Sequence, residues 1–136
     1  KDLKREGYRK REASTLIEER LNITKILKKA SKDWDGGYAR AGLLGHGDAF
    51  VLRDPSAIRP AYYFKNDEVV VVASERPVIQ TVFNAPFKEI KELDVGRDII
   101  IKESEKCFTS TVLKKKERKA CSFERIYLSR GSDQEI

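Results

Sequence analysis

The hydrophobic period of this chain changes at Gly36 and Gly37, and that change divides what can fold before it from what can fold just after it. Upstream, Leu16, Ile23, Ile26, Leu27 and Ala30 recur at the α period and predict one helix over 14–31. Thr15 followed by Glu18 reads as a capping box at its start. Ile17 and Leu21 on the opposite flank predict that this helix is covered on more than one side. The glycine pair is expected at positive φ, ending the helix and making a turn.

Downstream the period is two. "YARAGLL" and "AFVLR" read as a hairpin around Gly45 to Asp48, and "AYYF" and "VVVVA" as a second around Lys65 to Glu68. Val69 to Val72 do not alternate with polar residues, the pattern of a strand buried on both faces. Ser74 is placed to cap a short helix with Pro77 in its first turn and Val78, Ile79 and Val82 facing inward, ending before Pro86. "DIIIK", "CFTSTVL" and "CSFERIYL" read as three further strands. The tail "SRGSDQEI" has no pattern. The order of long helix, four strands, short helix and three strands predicts an α+β domain.

Two cysteines, Cys107 and Cys121, are too few for a disulfide framework and suit a reducing, cytoplasmic setting. No apolar run approaches the roughly 20 residues that span a bilayer. Lys1 stands where an initiator Met is expected, which points to a removed upstream portion. The net charge of +6 is concentrated at Lys1 to Arg11 and in "LKKKERK", 113–119. Such clusters can neutralise phosphates, so a non-catalytic basic module that binds nucleic acid is the competing function. A solvated surface is the plainer reading, because apart from Tyr8 neither cluster interleaves the aromatic rings that single-stranded nucleic acid stacks upon.

Catalytic candidates are sparse. The single histidine, His46, lies between two glycines at a hairpin tip and reads as a turn residue. Neither G-x-S-x-G nor a phosphate-cradling P-loop occurs. Cys107 and Cys121 are more simply small hydrophobes than thiolate nucleophiles. The most specific stretch is "RDPSAIRPAYY", 53–63. Pro55 and Pro60 fix φ and restrict Asp54 and Arg59 before them. Asp54 is placed to accept from backbone N–H groups just ahead of it. Arg53 and Arg59 then stand on rigid roots, for bracing within the chain or for holding a substrate carboxylate.

"GLLGHGDAFVLRDPSAIRPAYY" resembles the strand, turn and "RDP-x-G-IRP" corner of the amidophosphoribosyltransferase family, in its class II glutamine amidotransferase (N-terminal nucleophile hydrolase) domain. "VVASE", 71–75, is similar to the strand-to-helix junction that follows there. "CSFERIYLSRGS", 121–132, is similar to its "C-x-x-E-x-x-Y-x-x-R" segment. The resemblance implies an αββα sandwich, with residues 1–136 as the carboxy-terminal part of the glutaminase domain and the catalytic half and phosphoribosyltransferase domain lying elsewhere. It implies that the parent hydrolyses glutamine and passes ammonia to phosphoribosyl pyrophosphate, with Mg2+ on the latter and, in one branch, an iron–sulfur cluster.

The family's nucleophile is an N-terminal cysteine, so this chain contributes no catalytic residue. The resemblance implies that Arg53, Asp54, Pro55, Ile58, Arg59, Pro60, Ala73, Ser74 and Glu75 are scaffold, and that Cys121 corresponds, in the cluster-bearing branch, to one of four ligands. Alone, the chain is expected to be inactive and to self-associate through sheet edges meant for the missing half. Three departures stand out: Ala57 replaces the corner's glycine, "DVGRD" replaces a Pro-Gly-Glu turn, and Arg76 replaces a small residue. Ala57 is expected at negative φ, since a Cβ disfavours the left-handed region. Cys121 is expected as a reduced, buried strand residue.

Overall fold

The computed structural model describes residues 5–102, 107–128, 131 and 133. Lys1 and Lys4 of the amino-terminal basic cluster, the connector 103–106 and most of the tail, including Arg130 and Ser132 of the third family block, lie outside them. Two antiparallel sheets face each other. One has the order β1–β2–β6–β7, formed by Ala39–Leu43, Ala49–Arg53, Arg97–Ile101 and Cys107–Thr111. The other is β4–β3–β5, formed by Val70–Ala73, Tyr62–Lys65 and Lys91–Glu92.

Alternation along the strands builds the layers, because successive side chains point to opposite faces. Val51 and Ile99 point toward the second sheet and meet Ala61 and Leu93, with Tyr63 and Val72 against them. Their neighbours Leu52 and Ile100 point the other way and meet Ile23 and Leu27 of a helix. On the outer face of the second sheet, Phe64 packs against Ile79 of another helix. The result is the predicted α+β sandwich of helix, sheet, sheet and helix.

The upstream helix is two helices, α1 (Lys10–Arg20) and α2 (Ile23–Ala30). The chain turns extended at Leu21 and Asn22, and the Asn22 side chain caps α2 by accepting from the Lys25 N–H at 2.8 Å. That cap outcompetes a continuous helix, because Asn satisfies a backbone donor better outside a helix than within one. Thr15 is therefore inside α1, with its hydroxyl on the Arg11 carbonyl, and opens no helix. The break also resets the buried stripe: Ile23 and Leu27 are buried while Ile26 and Ile17 stay exposed, so α2 is covered on one side only.

Other expectations are corrected too. The four valines lie at the edge of their sheet and are half-buried, because β4 pairs only with β3 among the described strands. α3 spans Arg76–Phe83 with Pro77 in its first turn, but Glu75 rather than Ser74 is at the N-cap, and Val82 is exposed. Asn84, at φ 48°, ends α3 in the left-handed conformation. "CSFERIYL" forms no strand: Ser122–Ile126 is helical (α4), with Phe123 and Tyr127 stacked at 4.8 Å one turn apart. Cys121 precedes this helix at its N-cap and is half-buried. Of the glycine pair only Gly36 has positive φ; Gly37 is needed for space, since a Cβ there would lie 2.5 Å from Ile58 Cγ2.

Tyr38 is buried beside α2 and its hydroxyl has no partner among the described residues. Burial raises its phenol above the usual 10.0, the negative charge of Asp54 adds to this, and Arg40 opposes it. A raised folded-state value favours the neutral phenol, so this contribution is intact below pH 10 and is lost as pH rises through the folded value. Tyr38→Phe should change stability little at pH 8, and its melting temperature should exceed the wild type's increasingly toward pH 11. Parallel alkaline limbs for the two proteins would contradict this assignment.

Candidate functional site

Asp54 is fully buried where β2 runs into the corner. Its Oδ1 accepts from the N–H groups of Ser56 and Ile58, each at 3.0 Å, and its Oδ2 accepts from Arg59 at 3.1 Å. The Ala57 N–H donates to the Asp54 carbonyl at 3.3 Å. Together these bonds fix the backbone on both sides of Ala57, which is held at φ 50°, contrary to the expectation of negative φ. The energetics explain the outcome. Three hydrogen bonds to a carboxylate are worth about 1.5–3 kcal/mol each, against about 1–2 kcal/mol for one left-handed residue with a Cβ.

Arg53 is equally buried and braces the inside of the corner. Its Nε donates to the Arg59 carbonyl at 2.8 Å and its Nη1 to the Leu93 carbonyl at 2.5 Å, with Glu92 Oε1 at 2.8 Å. Glu92 in turn accepts from Arg118 at 2.9 Å, and Arg59 pairs with Glu124. The lysine-rich segment lies along the outer side of the corner. Lys116 and Lys119 donate their N–H groups to the carbonyls of Pro55 and Ser56, and Cys121 donates to that of Ile58. Gly96 closes the back: its N–H donates to the Asp54 carbonyl, and its own carbonyl accepts from Val112 and Leu113. Its φ of +64°, and a Leu113 oxygen 2.8 Å from where a Cβ would stand, account for a glycine in "DVGRD".

These elements enclose a cleft of about 180 Å³. Arg53, Ile58, Arg59, Pro60, Ser74, Glu75 and Cys121 all line it, so the three family-like blocks converge in space. Ala57 lines it, whereas Asp54, Pro55 and Ala73, the last residue of β4, are not among its lining residues. Glu92, Arg118 and Glu124 complete it; only Glu124 was signalled in the sequence, as the acid of the C-x-x-E pattern. Arg76 was read only as a departure. Its buried guanidinium lies between the rings of Tyr62 and Phe87, 4.7 Å from each centroid, and donates to Asp133 at 3.2 Å.

Arg53 and Arg59 are held by acids and carbonyls of the chain itself, which is the geometry of a brace. No histidine lines the cleft beside Cys121. His46 is at the β1–β2 turn, where its Nε2 is 3.2 Å from the buried Asp48, a carboxylate that also pairs with Lys102. Cys107 packs in the layer between the sheets. Among the described residues no three His, Cys, Asp or Glu side chains gather as a metal would require. An iron–sulfur cluster normally takes four thiolates, and Cys121 brings one, so the residues present do not by themselves fit that group.

The fold is one shared with solved amidotransferase structures. The glutamine phosphoribosylpyrophosphate (PRPP) amidotransferase from B. subtilis, solved with ADP and GMP, superposes on 95% of this chain with a TM-score of 0.69 at 23% identity. A structure described as the allosteric regulatory enzyme of purine biosynthesis does so over 95% with a TM-score of 0.70, also at 23% identity. In sequence the chain is similar to a curated protein as well. Amidophosphoribosyltransferase of Pseudomonas aeruginosa (strain PAO1) is 33% identical over 100 residues, 70% of this chain. The match is to a segment: the chain spans 19% of that relative and 29% and 28% of the two solved chains. No protein-family model matches.

Asp54→Ala leaves three backbone N–H groups at a part-buried corner without their acceptor and should cost roughly 3 kcal/mol in denaturant unfolding. Ala57→Val, a β-branched side chain at positive φ, should also destabilise markedly, whereas Ala57→Gly should be close to neutral as relieved strain offsets a lost methyl. An Ala57→Val protein that melts with the wild type would contradict the left-handed corner.

Proposed function

We propose that this chain is the carboxy-terminal portion of the glutamine amidotransferase domain of an amidophosphoribosyltransferase, supplying scaffold and no catalytic residue. The observation that carries this reading is the convergence of the corner, the "ASE" junction and the C-x-x-E helix on one cleft. It is supported by 33% identity to a protein of that name. In the parent, glutamine is hydrolysed on a cysteine thiolate outside this chain. The ammonia then displaces pyrophosphate from phosphoribosyl pyrophosphate to give phosphoribosylamine. The corner's part is mechanical: it fixes where β2, β3 and α4 meet, so that groups borne by neighbouring segments are held in register. Mg2+ would accompany phosphoribosyl pyrophosphate in the other domain of the parent. A cytoplasmic setting fits this role, and no described helix is long and apolar enough to cross a membrane.

The encoding gene tests the reading. Its frame should continue upstream of Lys1 to a cysteine following the initiator Met, and downstream into a phosphoribosyltransferase domain. A complete frame that lacks both would overturn it. An amide hydrolase needs nucleophile, base and oxyanion donors together, and one lost donor costs roughly a hundredfold. The purified 136-residue chain should therefore release no ammonia from glutamine above a buffer blank. Turnover abolished by mutating Cys107, Cys121 or His46 would contradict the scaffold assignment.

We also infer self-association. β1 and β7 have one paired side each among the described strands, and Leu43 of β1 is exposed. Such edges invite pairing with another chain. Light scattering should show a mass that grows with concentration, and a stable monomer at high concentration would contradict this.

A further inference from the structure

We propose, resting on the two-domain reading of the parent, that Arg76 is a positioning residue: by holding Asp133 it fixes the path on which the chain leaves this domain toward the next. Arg76 opens α3, at the positive end of the helix dipole, and its side chain is 4% exposed. A cation so placed is costly unless an anion meets it. The first turn of α3 has no acid of its own. Asp133, 57 residues downstream, meets the guanidinium instead: Nη1 donates to its Oδ1 at 3.2 Å, and the carboxylate is 12% exposed. This is not the solvent-exposed kind of ion pair that contributes little. The rings of Tyr62 and Phe87, each 4.7 Å from the guanidinium, hold the cation in place, so the tail meets a rigid seat.

The seat lies where a second anchor is needed. Upstream of α4, the Cys121 N–H is tied to the corner at Ile58, and Glu124 of α4 pairs with Arg59. Asp133 follows α4 and is tied to α3 beside β3. A single anchor would let the departing chain pivot about it, whereas anchors on both sides of α4 set its direction. A following domain carried on that chain is then held in one orientation. Ammonia released in one domain meets its acceptor in the other, and loosening the seat lets it escape to water.

Backbone 15N relaxation of the 136-residue chain reads the seat directly. The amides of Gly131 and Asp133 should have order parameters of about 0.85, falling below about 0.6 in Asp133→Ala, while Asp133→Glu retains the higher values. Arg76→Met should act in the same way, and the double variant should loosen the tail no further than either single one. Asp133→Ala leaves Arg76 and its rings intact and serves if Arg76→Met does not fold. Unchanged order parameters in Asp133→Ala would overturn the proposal. The full-length parent reads the consequence. In Asp133→Ala, glutamine hydrolysis and the transfer reaction fed with free ammonia should stay within about twofold of wild type, while phosphoribosylamine formed per glutamine hydrolysed falls roughly tenfold. An unchanged ratio, or an equal loss of all three rates, would overturn the proposal and leave the two-domain reading standing. A parent that shows neither hydrolysis nor transfer before any substitution would overturn that reading and the proposal with it.

Discussion

One buried carboxylate organises this molecule. Asp54 accepts three backbone N–H groups within five residues, and its own backbone N–H and C=O join Tyr38 and Gly96. A charge at full burial is tolerable only when hydrogen bonds replace its hydration. The corner must therefore take the one path that brings those donors inward, which is why Ala57 accepts a left-handed backbone. From this anchor the sheets diverge: β2 ends at Arg53, β3 begins at Tyr62, and the two belong to opposite layers. The corner is the point where the chain crosses from one sheet to the other.

Arg53 plays the complementary part from the other side. A buried guanidinium without acceptors would be severely destabilising, and it meets two carbonyls and a carboxylate instead. Its rigid planar fork ties the end of β2 to the corner and to the end of β5 together, which a lysine could not do. Arg76 repeats the solution with different means, using two aromatic faces and Asp133. Arg53 lines the cleft and Arg76 holds Asp133, another of its lining residues, so charged contacts fix part of its walls.

What could be read in advance follows from the range of the interactions. The hairpins and the Asp54 turn depend on near neighbours, and both hairpins and the acceptor role of Asp54 were legible in the residues. The α2 cap was overlooked because the stripe ran through Asn22 without interruption, although Asn is the residue that breaks such a stripe. β5 is two residues long and gives no period. α4 was misread because its residues alternate plausibly as a strand, and its helix signal, the ring pair four apart, is weak in so short a segment. Ala57 was misjudged because only the three donors, taken together, outweigh the local cost. The Glu92 and Arg118 partnership spans β6 and β7 and has no local signature at all.

The docking of 116–121 onto the corner has a kinetic side. The carbonyls of Pro55, Ser56 and Ile58 find their donors only after β3 to β7 have been laid down in sequence. Closing so long a loop is entropically slow, and contacts of high sequence separation retard folding. During synthesis the corner therefore emerges with its inner bonds to Asp54 available and its outer face bare. The lysine segment can cover that face only once these strands have been made, and in doing so it ties the corner to α4.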